Sequence, residues 1–417
     1  MVGRLPSGDT PMSRISGVGV TVSHDDEPFT PEPDFAHVPV LLDRVVELFR
    51  DVPAGLYVDA TLGGGGHAAA VLAAHPGLRL LGLDRDDVAI DAARRRLAPF
   101  GDRVEIVRTG FDRLEDVVRE RTDEGASAVL MDLGVSSPQL DVAERGFSYR
   151  AAAPLDMRMD RRQSLSALEV VNEYSYPELA RIIREFGEDR YAGRIARAIV
   201  EARPVADTEQ LAEIVRDAIP APARRTGGHP AKRTFQAIRI EVNHELDQLA
   251  EALDGALSVL APGGRLAVMS YHSLEDRLVK STFREAETGG CVCPQGLPCA
   301  CGAEPTVRLL KRGAWTAGAE EATANRRSES VRLRAVDGYF EREVTVPATG
   351  GAVVRATELT DAPFVRIALV NAGAGLILGV GALLAPLMAY GMFSFMGSIA
   401  TQPAVPAANP TRALGGA

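Results

Sequence analysis

A glycine-rich loop that follows an apolar, strand-like segment is the first feature of the sequence that could do chemistry. Gly63 to Gly66 follow the segment 56–60 after only Thr61 and Leu62, and alanine-rich, helix-forming sequence comes next. Glycine lets the backbone approach a ligand closely, and a helix N-terminus presents N–H groups without helical partners. Asp84 ends the next strand-like segment, 21 residues after Gly63, where a carboxylate can accept hydrogen bonds from both ribose hydroxyls. The pattern predicts a site for an adenosine-containing cofactor.

Two classes of cofactor fit this loop, and a tight glycine turn without any ligand is the alternative to both. Gly63, Gly65 and Ala68 match the dinucleotide pattern G-x-G-x-x-G/A loosely, which would suit a nicotinamide-dependent oxidoreductase. A methyl-donor site needs the same ribose-binding acid but no clamp for a pyrophosphate. The loop and Asp84 leave this choice open.

A second polar motif ends the fourth strand-like segment, where Asp132 is followed by Leu-Gly-Val-Ser-Ser-Pro-Gln up to Gln139. Ligands of open α/β sheets bind beyond the carboxyl ends of the strands. Asp132 is therefore expected to face the same crevice as Asp59 and Asp84. The alternative is that Asp132 and the serines only cap a turn.

Seven dispersed motifs resemble a single family, the bacterial 16S ribosomal RNA (cytosine-N4)-methyltransferases, also called RsmH or MraW. The resemblance runs from about residue 37 to about residue 334. The motifs are 37–42 (HVPVLL), 59–67 (DATLGGGGH), 132–140 (DLGVSSPQL), 145–148 (RGFS), 154–159 (PLDMRM), 234–240 (TFQAIRI) and 270–277 (SYHSLEDR). Tyr271 is a departure, because phenylalanine is more usual at that position of the family.

The resemblance implies an enzyme that uses S-adenosylmethionine to methylate N4 of a cytidine in the decoding region of 16S rRNA, within the small ribosomal subunit. Carried over by motif, the cofactor-binding residues are Gly65, Gly66, His67, Asp84, Phe111, Asp132 and Gln139. Without the resemblance, the sequence around Phe111 would instead favour a core phenylalanine at the start of a helix.

The exocyclic amine of cytosine is a poor nucleophile, because its lone pair is delocalised into the ring. Catalysis then requires positioning of the amine and a hydrogen-bond acceptor for its N–H. Asp132 and His272 are the candidate catalytic residues. The alternative for His272 is a structural histidine beside a helix cap formed by Ser273 and Asp276.

Strand-like apolar runs alternate with helix-like periodic segments from residue 37 onward, which is typical of a parallel sheet with crossover helices. The strand-like runs cover 56–60, 80–84, 104–107, 128–133 and 265–270, and between the last two the patterns are helical, at 176–186, 189–202, 208–218 and 234–260. The pattern predicts an α/β domain interrupted by a helical insert, and the family resemblance implies that its fold class is a Rossmann-like α/β methyltransferase sheet with an inserted all-helical domain. The predicted divisions are a disordered tail (1–36), the core (37–140), a helical, RNA-binding insert (141–235), the rest of the core (236–335), a linker or small strand pair (336–366), an apolar segment (367–399) and a tail (400–417).

All four cysteines fall in one short segment, at Cys291, Cys293, Cys299 and Cys301. Paired thiols this close are typical of a zinc clip, although the C-x-C spacing is less usual than C-x-x-C. A reduced, flexible loop is the alternative. A third interpretation makes Cys299 a nucleophile, but methylation at N4 needs no covalent intermediate. Whether the cysteines bind metal stays open at this stage.

Composition excludes a disulfide-framed secreted fold, because the rest of the chain has no cysteine to cross-link. The net charge of −10 requires any RNA contact to use local basic clusters, and residues 219–240 and 305–335 supply two. Residues 1–36 show no signal-peptide pattern, so a cytoplasmic enzyme is expected. The stretch 367–399 is long enough for a membrane span, and a low-complexity apolar tail is its alternative. A catalytically silent RNA-binding or membrane-tethered protein is therefore a further hypothesis.

Overall fold

The structure is a computed structural model, and its described residues are 39–134, 142–225, 229–294, 300–338 and three strands at 341–344, 353–357 and 366–370. The predicted tails, 1–36 and 400–417, lie outside these residues.

A seven-stranded mixed sheet forms the centre of the fold. The strands are β1 (Gly55–Asp59), β2 (Leu78–Asp84), β3 (Val104–Arg108), β4 (Ala126–Asp132), β5 (Leu260–Ser270), β6 (Val307–Leu309) and β7 (Arg332–Gly338). Their order is β3-β2-β1-β4-β5-β7-β6. The first five strands in this order are parallel, and β7 runs antiparallel to both of its neighbours. The strand order therefore reverses between β1 and β4, which is where ligands of such sheets bind.

Helices cover both faces of the sheet, which explains why the parallel strands are almost continuously apolar. They are α1 (Leu42–Leu48), α2 (Gly66–Ala74), α3 (Asp87–Leu97), α4 (Leu114–Arg119), α10 (Glu245–Ser258) and α11 (Ser273–Thr288). The first three pack with Tyr57 and Leu80 in one hydrophobic core. The other three pack with Val58 and Leu81 in a second core on the opposite face. Adjacent residues of one strand thus serve different cores.

A third hydrophobic core lies among helices that follow β4 in the chain. These helices are α5 (Ala167–Glu173), α6 (Tyr176–Glu185), α7 (Ala192–Glu201), α8 (Thr208–Ala218) and α9 (Lys232–Asn243). The core runs from Phe147 to Val242 and shares no residue with the other two. No strand occurs between β4 and β5 in the described residues, so a helical unit with its own core interrupts the sheet.

The sequence pattern predicted one helix over 234–260, and this was wrong. Two helices occupy the region, because His244 adopts a left-handed conformation (φ 51°) between α9 and α10. Arg239 and Glu245 face each other across the break, with N–O distances of 2.7 and 2.8 Å. The break lets α9 belong to the helical core while α10 packs on the sheet.

The pattern also missed β6 and β7, because charged residues interrupt the apolar alternation of β7. Arg334 is nevertheless 8% exposed, and its guanidinium binds the Asp276 carboxylate of α11 at 2.8 Å. A tertiary ion pair thus allows an arginine inside the sheet, which a strand pattern does not reveal.

Three further strands form a separate antiparallel sheet in the order β10-β9-β8: β8 (Glu341–Val344), β9 (Val353–Thr357) and β10 (Arg366–Val370). The apolar segment 367–399 therefore begins in a strand, where Ile367 pairs with Ala356 of β9, and not in a membrane helix. Residues 371–399 lie outside the described part of the chain. Among the described residues, no helix has the length and hydropathy required to cross a bilayer.

We predict that Asn243→Ala destabilises the fold by about 2–4 kcal/mol, because its buried amide bridges the helical unit and the loop before it. Its Nδ2 donates to the carbonyls of Met157 and Arg239, and its Oδ1 accepts from the N–H of Met159 (2.8–2.9 Å). Urea unfolding followed by circular dichroism measures the effect. Glu251→Ala, at an exposed position of α10, is the control, and an equal, small loss in both variants would contradict the prediction.

Candidate active site

Three aspartates end the strands at the point where the strand order reverses. Asp59 ends β1, Asp84 ends β2 and Asp132 ends β4. Because β1 pairs with both β2 and β4 in parallel, these carboxylates lie along one edge of the sheet. The prediction that Asp132 faces the same edge as Asp59 and Asp84 agrees with this arrangement.

Asp84 is tied directly to the glycine loop. Its Oδ2 accepts a hydrogen bond from the N–H of Gly63 (2.8 Å), and its Oδ1 accepts one from the N–H of Asp86 (2.9 Å). Burial raises the pKa of Asp84, and these backbone hydrogen bonds act in the opposite direction. Each carboxylate oxygen keeps a second lone pair, so the group can still accept two hydroxyl donors.

Gly65 and Gly66 are required by packing inside the protein. A Cβ at Gly65, where φ is +73°, would lie 3.1 Å from the Leu97 side chain, and one at Gly66 would lie 2.6 Å from Pro39. Gly63 (φ +52°) has no such neighbour, since the nearest atom would be 3.8 Å away. Gly65 and Gly66 thus let α2 begin close against α3 and Pro39. The space beside Gly63 is not filled by other residues of the loop.

Phe111 lies in a short 3-10 turn just after β3, and is half-buried. The guanidinium carbon of Arg85 is 5.9 Å from its ring centroid. Arg85 follows Asp84 directly in the chain, so the aromatic ring lies near the end of β2. This position suits a ring that stacks on a base whose ribose is held by Asp84.

Asp132 has polar partners on three sides. The Tyr271 hydroxyl donates a hydrogen bond to its Oδ1 (2.7 Å), and Nδ1 of His67 lies 3.8 Å from its Oδ2. The N–H of Asp132 donates to the Thr61 hydroxyl (2.6 Å). Burial raises the pKa of Asp132, while His67 and the hydrogen bond from Tyr271 lower it. The carboxylate side chain remains 26% exposed, so a ligand can reach it.

His67 is buried in the first turn of α2, where its Nε2 donates to the carbonyl of Val40 (2.9 Å). This bond fixes the ring and turns Nδ1 toward Asp132. The predicted contact between His67 and the cofactor is not tested by the structure, whereas its contact with Asp132 is direct.

Asp59, at the end of β1, is also strongly affected by burial. Burial raises its pKa to about 7, and the Asp132 charge adds to the rise, although a hydrogen bond from the Thr61 N–H opposes it. Near neutral pH, Asp59 is therefore only partly ionised. This partial neutralisation reduces the repulsion along the edge of the sheet.

His272 is the N-cap residue of α11. Its Nδ1 accepts from the N–H of Glu275 (3.4 Å), its Nε2 lies 3.0 Å from Glu275 Oε1, and the Glu275 carboxylate accepts the N–H of His272. The predicted cap by Ser273 and Asp276 is wrong by one residue, because Asp276 instead binds Arg334. Both ring nitrogens of His272 thus face the helix start, which favours a positioning role.

Glu275, which is 3% exposed, gathers the groups behind the site. Burial would raise its pKa, but the contacts with His272 and the charge of Arg239 outweigh this and hold the pKa below its usual range. Its carboxylate also accepts the N–H of Tyr271 (2.7 Å). The ionised Glu275 therefore fixes the backbone on which Tyr271 reaches Asp132.

Sequence reasoning did not assign Arg145 to the site, although the residue begins the RGFS motif. Its guanidinium binds the Asp86 carboxylate at 3.0 Å, with both side chains about one-tenth exposed, and donates to the carbonyls of Arg158 and Met159. Arg145 thus joins the loop after β4 to the residue that bonds Asp84. The RGFS motif was a signal in the sequence that Arg145 is important, but the motif does not show that its partner is Asp86.

Two predicted site residues lie outside the described part of the chain, namely Gln139 and Cys299. The other cysteines converge: the Sγ atoms of Cys291, Cys293 and Cys301 all lie within 4.8 Å of one another.

The comparisons with known proteins agree on one family. The model of the MraW methylase family matches residues 34–339. The chain belongs to this family. A relative from Symbiobacterium thermophilum, named "Ribosomal RNA small subunit methyltransferase H", is 55% identical over 72% of the chain and 96% of its own length. A relative of the same name from Heliobacterium modesticaldum is 52% identical over 73% of the chain and 98% of its own length.

Among solved structures, a putative rRNA-methylase from Clostridium thermocellum matches 72% of this chain and 99% of its own, at 13% identity and a TM-score of 0.35. Family membership confirms the Rossmann-like methyltransferase fold and S-adenosylmethionine as the methyl donor. The nicotinamide-dependent alternative is thereby excluded.

The residues present fit this donor. Asp84 keeps acceptor capacity for two ribose hydroxyls, Phe111 offers an aromatic face nearby, and Gly63 leaves space at the loop. A ribose acid without a clamp for a pyrophosphate is what an S-adenosylmethionine site requires.

We predict that Asp84→Asn weakens the binding of S-adenosylmethionine by about 10- to 100-fold, because an amide replaces one charged acceptor and forms weaker hydrogen bonds with hydroxyls. Isothermal titration calorimetry of the full chain measures this. Asp91→Asn, in which the replaced side chain is 60% exposed on α3, is the matched control. Equal affinity in both variants would remove Asp84 from the cofactor site.

Proposed function

We propose that the enzyme transfers the methyl group of S-adenosylmethionine to N4 of a cytidine in the decoding region of 16S rRNA, within the small ribosomal subunit. The names of the relatives support a small-subunit rRNA substrate. The observation that carries the choice of an amine is the partly exposed Asp132 carboxylate, held by Tyr271 beside the cofactor loop. A ribosomal substrate would also place the enzyme in the cytoplasm.

Asp132 is the proposed acceptor for the N4–H of the cytosine. S-adenosylmethionine, when bound, supplies a methyl group on a positively charged sulfur. An amine that takes up a methyl group must lose one proton, and the Asp132 carboxylate would accept this proton from N4 and then release it to water. The acceptor draws electron density toward N4 and positions the amine.

The partners of Asp132 tune this role. The hydrogen bond from Tyr271 and the contact with His67 both stabilise the ionised carboxylate against burial. His272 acts one step further away, since it and Glu275 fix the backbone of Tyr271. We therefore propose that Asp132 is catalytic and that His272 is a positioning residue.

The helical unit is the proposed RNA-binding domain, and one of its grooves carries basic and aromatic side chains together. Arg190, Arg194 and Arg197 line this groove with Tyr176 and Tyr191. All three arginines are exposed. Arginine contacts phosphates, and an aromatic ring can stack on an unpaired base.

One residue that lines the groove, Arg190, follows closely in the chain on a contact between the helical unit and the start of α11. Glu188 accepts a hydrogen bond from Arg277 (2.8 Å) and one from Ser273, the residue after His272. Arg190 is two residues from Glu188 and so lies within about 7 Å of it along the chain. A strand of RNA in the groove can thus lead toward the carboxyl edge of the sheet, with the target base turned out of its stack.

The basic cluster predicted at 219–240 is smaller than expected. Arg239 is half-buried and bound to Glu245, and Arg224 donates to the carbonyl of Ile219 and lies 3.4 Å from Asp217. Lys232 and Arg233 remain exposed. Within the helical unit, phosphate contacts are therefore assigned to the groove and to these two residues.

The deciding experiment incubates the full chain with labelled S-adenosylmethionine and small ribosomal subunits that lack the modification. The RNA is digested to nucleosides and analysed by mass spectrometry. We expect N4-methylcytidine, and we expect Asp132→Asn to lower turnover at saturating cofactor by about 100-fold or more. A different methylated nucleoside, or no product with cofactor binding intact, would overturn the proposal.

We predict that Tyr271→Phe shifts the acidic limb of the pH–rate profile to higher pH. Losing the hydroxyl removes a hydrogen bond that lowers the pKa of Asp132, so the carboxylate needs a higher pH to ionise. On the alkaline plateau, the rate should change little. The check is kcat/KM against pH, with Tyr149→Phe in the helical unit as the matched control. An unchanged acidic limb would argue against Asp132 as the acceptor.

We predict that Arg194→Ala with Arg197→Ala weakens binding of small subunits and makes log Kd less dependent on log salt, by a slope of about 1–2. Affinity for S-adenosylmethionine should stay unchanged. Filter binding at several salt concentrations measures the affinity for small subunits and its dependence on salt. The control removes Arg94 and Arg113, which are 62% and 64% exposed. If the control lowers the slope equally, the groove has no special role.

A further inference from the structure

The segment between α11 and β6 leaves the fold and returns to it at one point. Gly289 ends α11 with φ +61° and lies so close to Glu304 that an added Cβ would be 2.5 Å from the Glu304 backbone. The N–H of Thr306 then donates to the carbonyl of Ala286 (3.0 Å). The described residues on either side, 290–294 and 300–303, are thus the two sides of a loop whose ends are fastened together.

Hydrophobic packing does not hold this loop in its described part. None of residues 289–294 and 300–306 is buried, and Val292 is 86% exposed. Gly290 and Gly302 have positive φ values of +70° and +75°. A loop with this composition has too little apolar surface to offset the entropy lost on ordering it.

The thiols of the loop nevertheless converge from both of its sides. Cys291 and Cys293 lie on the side of the loop that leaves α11, and Cys301 lies on the side that returns to β6. All three Sγ atoms are within 4.8 Å of one another. The Sγ atoms of Cys291 and Cys301 are 3.7 Å apart. The N–H of Ala300 also donates to the Sγ of Cys293 (3.3 Å), so the returning side of the loop contacts the outgoing side here as well.

We propose that Cys291, Cys293 and Cys301 bind a structural Zn²⁺ ion that clips this loop. Zn–S bonds of about 2.3 Å in tetrahedral geometry place neighbouring sulfurs about 3.8 Å apart, close to the separation found here. On binding, each thiol gives its proton to solvent and its thiolate coordinates the ion. The remaining position of the tetrahedron is open to one further ligand.

The ion would act on structure and not on the methyl transfer. The loop follows the C-terminal end of α11, whereas His272 precedes its N-terminus, and a helix of this length spans about 24 Å. The clip would hold the connection between α11 and the edge strand β6. The proposal is thus independent of the proposed substrate.

The test measures zinc in the full chain purified with a thiol reductant and without chelators. We expect one zinc per chain by mass spectrometry of the metal, and, after exchange with Co²⁺, the absorption bands of tetrahedral cobalt–thiolate. Cys291→Ser with Cys301→Ser should lose both signals. Val292→Ser alters an exposed residue of the same loop and should keep both. Binding of S-adenosylmethionine shows that each variant is folded.

A second measurement separates the clip from a disulfide. With the chain intact and folded, a chelator should remove the zinc and speed protease cleavage within 289–306, and added Zn²⁺ should reverse this. No stoichiometric zinc in the reduced chain, a disulfide between Cys291 and Cys301 by peptide mapping, or full zinc retention in the double variant would each overturn the proposal.

Discussion

The structure depends on the placement of three carboxylates at the carboxyl edge of a parallel sheet, where burial opposes their ionisation. Asp59, Asp84 and Asp132 all have raised pKa values for this reason. Each is stabilised differently: Asp84 by backbone N–H groups, Asp132 by Tyr271 and His67, and Asp59 by partial protonation. Because their partners differ, Asp84 can bind the cofactor and Asp132 can accept a proton although both carboxylates lie along the same edge.

Polar contacts, two of them largely buried, position the helical unit against that edge. Asn243 fastens the loop after β4 to the end of α9, Arg145 joins the same loop to Asp86, and Glu188 contacts the start of α11. Such contacts are directional, so they fix orientation as well as proximity. A substrate held by the helical unit is thereby presented to Asp132 in a defined way.

Much of the site was predictable, because it follows from local patterns. The glycine loop, Asp84 at the end of β2 and Asp132 at the end of β4 each follow an apolar run, and parallel strands bring their ends together. The partners of these residues were not predictable. Tyr271 lies 139 residues from Asp132 in the chain, and neither its hydroxyl nor the capping role of His272 shows in a strand or helix pattern.

The sequence alone determined the α/β class, the five parallel strands, the helical interruption and the family, since these depend on periodicity and on long motifs. The tertiary structure decided the rest. It placed β7 between β5 and β6 through the Arg334–Asp276 pair, broke one predicted helix at His244, and moved Arg239 from the RNA-binding set into an ion pair with Glu245. The reason is that a charged side chain reads as solvent-exposed until its partner, distant in sequence, is known.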